Sequence, residues 1–121
     1  MRKISCIFGF LIFSLFTYWQ LNDATQYHTD KILCFLWVAS YAAIALLSLV
    51  CAFRNLPNKV FWISAAVPFV IALFRFSYID WSYDNVLYNP DNPAANETGG
   101  LIIMAIWLLV LRNLNTKDIV C

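Results

Sequence analysis

Four stretches of this chain, Ile4–Gln20, Ile32–Phe53, Val60–Ile79 and Gly99–Leu114, are long and apolar enough, or nearly so, to cross a lipid bilayer as helices. The hydrocarbon core takes roughly 20 residues of helix, with about 17–25 the usual range. No repeat, low-complexity tract or heptad seam interrupts the pattern. The expectation is an all-α, integral membrane four-helix bundle: one membrane domain over residues 1–121, with spans at about 4–20, 32–53, 60–79 and 99–114. Composition leaves little alternative. Hydrophobic residues make up 62% and charged residues 12%, against about 25% charged in a soluble domain. A chain this short cannot hide so much apolar surface from water, because small domains bury the smallest fraction of theirs.

The start, MRKISCIFGFLIFSLF, resembles a signal peptide, but the TYWQLNDA that follows lacks the small residues a signal peptidase reads, so it is expected to stay as the first membrane helix. Basic residues set the orientation. Arg2 and Lys3, Arg54 and Lys59, and Arg112 and Lys117 all fall on one side, which the positive-inside rule makes cytoplasmic, with both termini inside. Asp23, Asp30, Asp80, Asp84, Asp91 and Glu97 fall on the other. Trp19 and Trp81 are expected at the outer boundary and Trp62 at the inner one; Trp107 lies too deep for an interfacial belt. The expected setting is a bacterial inner membrane or a plasma membrane. The lipid bilayer is the partner, with another membrane protein or a homodimer as further candidates, and a net charge of +1 speaks against nucleic acid.

Within the spans, Ala39 and Ala43 form a small-xxx-small pair, and Ser64, Ala65 and Ala66 slim the third run, as close helix approach requires. Pro68 is expected to kink that run. Glu97, Gly100, Met104 and Trp107 share one helix face. Gly100 there leaves room for a neighbour, and a buried Trp107 N–H needs an acceptor. The partner expected for that stripe is Trp19 to Asp23, where the first run leaves the membrane and Asn22 could cap the helix. Arg75, late in the third run, either snorkels to the surface or clamps Asp23 or Glu97.

These residues carry a resemblance. Gln20, Asn22 and Asp23 as Q-x-N-D, Trp37 and Tyr41 as W-x-x-x-Y, and Glu97, Gly100, Leu101 and Trp107 as E-x-x-G-L-x-x-x-x-x-W resemble the motifs of the transmembrane protein 220 family. Where that family continues N-D-P-D, this chain has Ala24 and Thr25. The resemblance implies a small multi-pass membrane protein and brings no enzymatic activity with it. It points to Gln20, Asn22, Asp23, Trp37, Tyr41, Glu97, Gly100 and Trp107, and these, with Arg75 added as the one charge inside a span, are the expected polar cluster at the outer surface, ligand-binding or structural.

Three functions are compatible with that cluster. A structural or partner-binding membrane component demands least, since Gln20, Asn22 and Trp107 would supply hydrogen bonds between helices. The alternative is a lipid or small-molecule binding protein or enzyme using Asp23 and Glu97, with His28 as a base. No nucleophile motif or phosphate cradle supports the enzyme, and no catalytic residue, metal or cofactor is expected; Cys6, Cys34, Cys51 and Cys121 lack metal-ligand spacing. A small transporter fits least. The small multidrug exporters, similar in length, use a glutamate in the first helix, whereas no charged side chain lies between Ile4 and Gln20. The longer outer loop, with Tyr83, Tyr88, Pro90, Asp91 and Pro93, reads as an ordered, turn-rich cap, and Asn96-Glu97-Thr98 fits a glycosylation sequon.

Overall fold

The computed structural model describes residues 1–26, 31–87, 89 and 91–117, without the side chains of residues 22–26, 31, 33, 116 and 117. The described residues form four α-helices and no strand: α1 (Arg2–Gln26), α2 (Lys31–Phe53), α3 (Asn58–Phe76) and α4 (Pro93–Lys117). Each contains a stretch apolar and long enough to span a membrane: Arg2–Leu21, Cys34–Phe53, Asn58–Phe76 and Pro93–Asn115. The shortest, α3, has 19 residues, about 29 Å of helix, which matches a hydrocarbon core of about 30 Å.

The boundaries differ most from the sequence expectation at the end of α1 and the start of α4, while α3 stops at Phe76, three residues short of the expected Ile79. Helix α1 runs on to Gln26, so Asn22 lies inside it and does not cap it. Its last turns, Leu-Asn-Asp-Ala-Thr-Gln, contain neither Gly nor Pro to end it. Helix α4 begins at Pro93, ahead of its apolar run. Asn92-Pro93 is a helix start: asparagine suits the position before a helix, and proline the first turn, where its missing N–H costs nothing. Glu97 therefore lies one turn inside α4. Helix α3 continues through Pro68, which is buried.

Packing is unequal. Among the described residues α1 packs along α2 and α3 along α4, and the two hairpins meet only through α4. No backbone pair of α2 and α3 comes close, although four residues, 54–57, join them. The buried residues of α3, Phe61, Ala65, Pro68 and Ala72, repeat at intervals of four, three and four, the spacing of one helix face. The opposite face exposes Ile63, Val67, Val70 and Phe74 among others, a surface suited to lipid or to another apolar protein face and costly to leave in water. Ala39 and Ala43 are exposed, so among the described residues they are not at a buried helix contact. The small residues at contacts are instead Ala45, Ser48 and Ala52 on α2 and Ala65 and Ala72 on α3.

Side-chain amides hold α3 to α4 at both ends. Beyond the C-terminal end of α3, Asn92 Oδ1 accepts from the Asp80 N–H at 3.0 Å while its Nδ2 donates to the Asp80 carbonyl at 2.9 Å. Just before α3 begins, Asn115 Oδ1 accepts from the Leu56 N–H at 3.0 Å and its Nδ2 donates to the Leu56 carbonyl at 2.8 Å. Each amide is buried and satisfies a backbone donor and acceptor that would otherwise lack partners. At the same end as Leu56, Arg2 donates to the carbonyls of Cys51 and Arg54 at 2.9 and 2.6 Å and to Asn55 Oδ1 at 2.6 Å. A cation there suits the negative end of the α2 dipole. Arg2, Arg54 and Asn55 thus share one end of the bundle, where the Arg112 guanidinium also lies 4.6 Å above the Trp62 ring. The opposite end carries the long α3–α4 connection, in which Asp80 Oδ1 accepts from the Ser82 N–H and hydroxyl at 2.9 and 2.6 Å.

Candidate binding cleft between α2, α3 and α4

The spacing that buries Ala72 also decides where Arg75 points. Three residues further along, it continues the Phe61–Ala65–Pro68–Ala72 face and meets α4. There its Nε lies 2.6 Å from Glu97 Oε2, with the side chains 29% and 17% exposed. The contact is one of charge: the Nε–H is not aimed along the line to the oxygen and makes no regular hydrogen bond. The guanidinium carbon also lies 5.3 Å from the Tyr78 ring centroid, a cation–π distance. Of the two roles open to Arg75, snorkelling or pairing, the geometry is that of a pair with Glu97.

Because α2 and α3 stay apart, the pair borders a cleft of about 280 Å³ lined by Leu36, Trp37 and Ser40 of α2, Ile71 and Arg75 of α3, and Glu97 and Leu101 of α4. Its walls are apolar apart from the ion pair and Ser40, whose hydroxyl is engaged by the Leu36 carbonyl at 2.7 Å. Trp37 stacks on Tyr41 with ring centroids 5.8 Å apart and planes at 30°. Tyr41 is buried beneath it, and its hydroxyl lies against Gly100, where any side chain would collide with it. Trp37, Tyr41, Arg75, Glu97 and Gly100 are therefore brought together at the acidic end of the bundle.

The remaining expected site residues are placed elsewhere or lie outside the description. Trp107 belongs to the middle of the core. Its Nε1–H donates to Ser48 Oγ at 2.8 Å, Ser48 in turn donates to the Ile44 carbonyl at 2.8 Å, and the indole lies against Gly9 of α1. Phe13 bridges the two regions, with centroids 6.1 Å from Tyr41 and 6.2 Å from Trp107. Gln20 contributes its carbonyl to the Cys34 thiol at 3.3 Å. The Asn22 and Asp23 side chains, and all of His28, lie outside the described residues. Among those described, no group of His, Cys, Asp or Glu could hold a metal ion. The sequon residues Asn96 to Thr98 lie in α4 with Thr98 buried, whereas an acceptor asparagine belongs on a surface loop.

Sequence reasoning did not single out Ser48, Asn92 and Asn115. For Asn115 the available signal was an amide in the last turns of an apolar helix, and for Asn92 its place before a proline.

Four membrane-length helices with apolar exteriors and charges gathered at their ends define a multi-pass integral membrane protein. The family model described as "Transmembrane family 220, helix" matches residues 12–113, most of the chain, and the chain belongs to that family. No curated protein and no solved structure matches it.

Proposed function

We propose that this membrane protein binds an amphipathic, membrane-resident molecule in the cleft between α2 and α3. The single observation that carries the reading is an Arg75–Glu97 ion pair on the border of an apolar-walled opening that none of the described helices fills. A pocket with apolar walls and a few convergent polar groups is the general form of a small-molecule site. By the positive-inside rule the acidic end faces away from the cytoplasm, so the ligand enters from the outer leaflet. The test is lipid analysis of protein released in mild detergent, comparing wild type with Ser40→Trp. That substitution fills the cleft from an exposed position and should leave the helices unchanged. Fewer retained amphiphiles in the variant, at equal circular dichroism, are expected; equal retention would refute the reading.

A second reading, a structural component that binds another membrane protein or a second copy of itself, is favoured by the α3 face. Trp62, Val67, Val70 and Phe74 are all more than half exposed along it, and α3 has a single helical neighbour among the described residues. Crosslinking from Val70 in native membranes separates the two: a protein adduct supports this reading, and lipid adducts alone support the first.

A further inference from the structure

We infer that the cleft selects a phospholipid with a zwitterionic, primary-amine headgroup, its phosphate on Arg75 and its ammonium on Glu97. This rests on the reading that the cleft takes a membrane amphiphile, and it names the chemical class.

The argument begins with what the ion pair leaves uncommitted. The ion pair runs from Nε of Arg75 to Oε2 of Glu97. A guanidinium carries four further N–H donors on its two terminal nitrogens, in a fork that fits phosphate oxygens. On the other side, a carboxylate held through one oxygen still has a second to offer. A donor fork and an acceptor oxygen thus lie next to one another at the cleft. A phosphate joined by a two-carbon bridge to an ammonium presents the opposite pattern at the same scale. A purely anionic headgroup would meet Arg75 but also the Glu97 carboxylate, with nothing to offset it.

Depth supports a headgroup as the polar part. Arg75 lies in the last turn of α3 and Glu97 in the second turn of α4, both at the end where these helices leave the apolar zone. Leu36, Ile71 and Leu101 supply an apolar wall for the chain region of the lipid. The aromatic content decides between amines. A quaternary ammonium donates no hydrogen bond and is held by a cage of several rings. Among the described residues Trp37 is the one aromatic side chain lining this cleft, and one of its faces is covered by Tyr41. A primary ammonium, which can donate to Glu97, is the better match.

The test is native mass spectrometry of the full chain with phosphatidylethanolamine, phosphatidylcholine and phosphatidylglycerol of identical acyl chains. One charge-assisted hydrogen bond gained by the primary amine predicts about a tenfold preference for phosphatidylethanolamine over phosphatidylcholine, about 1.4 kcal/mol. Glu97→Gln should abolish the preference while binding persists, and Arg75→Gln should weaken all three lipids. Ser40→Trp, which leaves both charged groups in place, should lose binding of all three and serves as the check should either charge variant fail to fold. Wild-type binding without headgroup preference, or with phosphatidylglycerol first, would overturn the inference and leave the cleft reading standing. No lipid retained by folded wild type, or retention that Ser40→Trp does not alter, would overturn both.

Discussion

The contact between Gly9 and Trp107 is where α1, α2 and α4 meet, and its energetics can be worked from the structure. A methyl on Gly9 would overlap the indole at Cζ2, Cε2 and Cη2. The ring cannot retreat freely, because Nε1 is tied to Ser48 at 2.8 Å and Phe13 lies alongside. Overpacking of this kind costs about 1–3 kcal/mol. Loss of the indole bond adds about 0.6 kcal/mol, the average for a hydrogen bond between membrane helices. Against this, Gly→Ala recovers up to about 1 kcal/mol of helix propensity. Gly9→Ala should therefore destabilise the fold by about 2 kcal/mol. Trp107→Phe removes the overlapping atoms along with the bond to Ser48. In the double variant the alanine methyl has room, so its cost should fall by about 1.5 kcal/mol relative to the sum of the single changes, a coupling within the range of residues in contact. Reversible unfolding by dodecyl sulfate titration in mixed micelles, followed by far-ultraviolet circular dichroism, measures all four corners of the cycle. Strict additivity, or a Gly9→Ala variant as stable as wild type, would refute the packing described.

Three further expectations are independent of that contact. Asn115→Leu removes both bonds to Leu56 and leaves a backbone N–H and carbonyl without partners; it should cost about 1–3 kcal/mol in the same titration. The Asp80 carboxyl is held below its ordinary ionisation range by hydrogen bonds from the Ser82 hydroxyl and then its N–H. Because its folded pKa is depressed, the turn gains stability from Asp80 at pH values above the unfolded pKa and loses it as pH falls through the folded one. Carbon-13 titration of Asp80 should show the low midpoint, and Ser82→Ala should raise it. Orientation is testable by impermeant maleimide on intact cells, in variants carrying Ser82→Cys or Asn58→Cys. Only the Ser82 position, at the acidic end, should label from outside.

Much of this architecture is legible in the sequence because membrane helices write their length and polarity into contiguous runs. Less legible is which face of each helix meets which neighbour. Arg75 illustrates the difference. Its place on the Phe61–Ala65–Pro68–Ala72 face could be read from spacing, but α3 exposes apolar residues on all other sides, so nothing in the pattern said which stripe was the buried one. Ala39 and Ala43 mislead for the same reason: small residues permit close approach without requiring it, and here both are exposed. Gly100 could be recognised as a contact, since a bare backbone beneath bulky neighbours has few other uses, whereas the Ser48 acceptor of Trp107 comes from a helix distant in sequence. The early start of α4 was obscured by Pro93, which signals a turn and the first residue of a helix equally well.

The central claim is that α2 and α3 stand apart around an occupied cleft bordered by the Arg75–Glu97 pair. A structure determined in a lipid nanodisc containing phosphatidylethanolamine tests it most directly. The account predicts that Arg75 turns toward Glu97, that Leu36, Trp37 and Ile71 face an open space, and that a lipid occupies it with its polar end at the pair. A bundle in which α2 packs against α3 and closes the space, or in which Arg75 and Glu97 point separately to water, would contradict it.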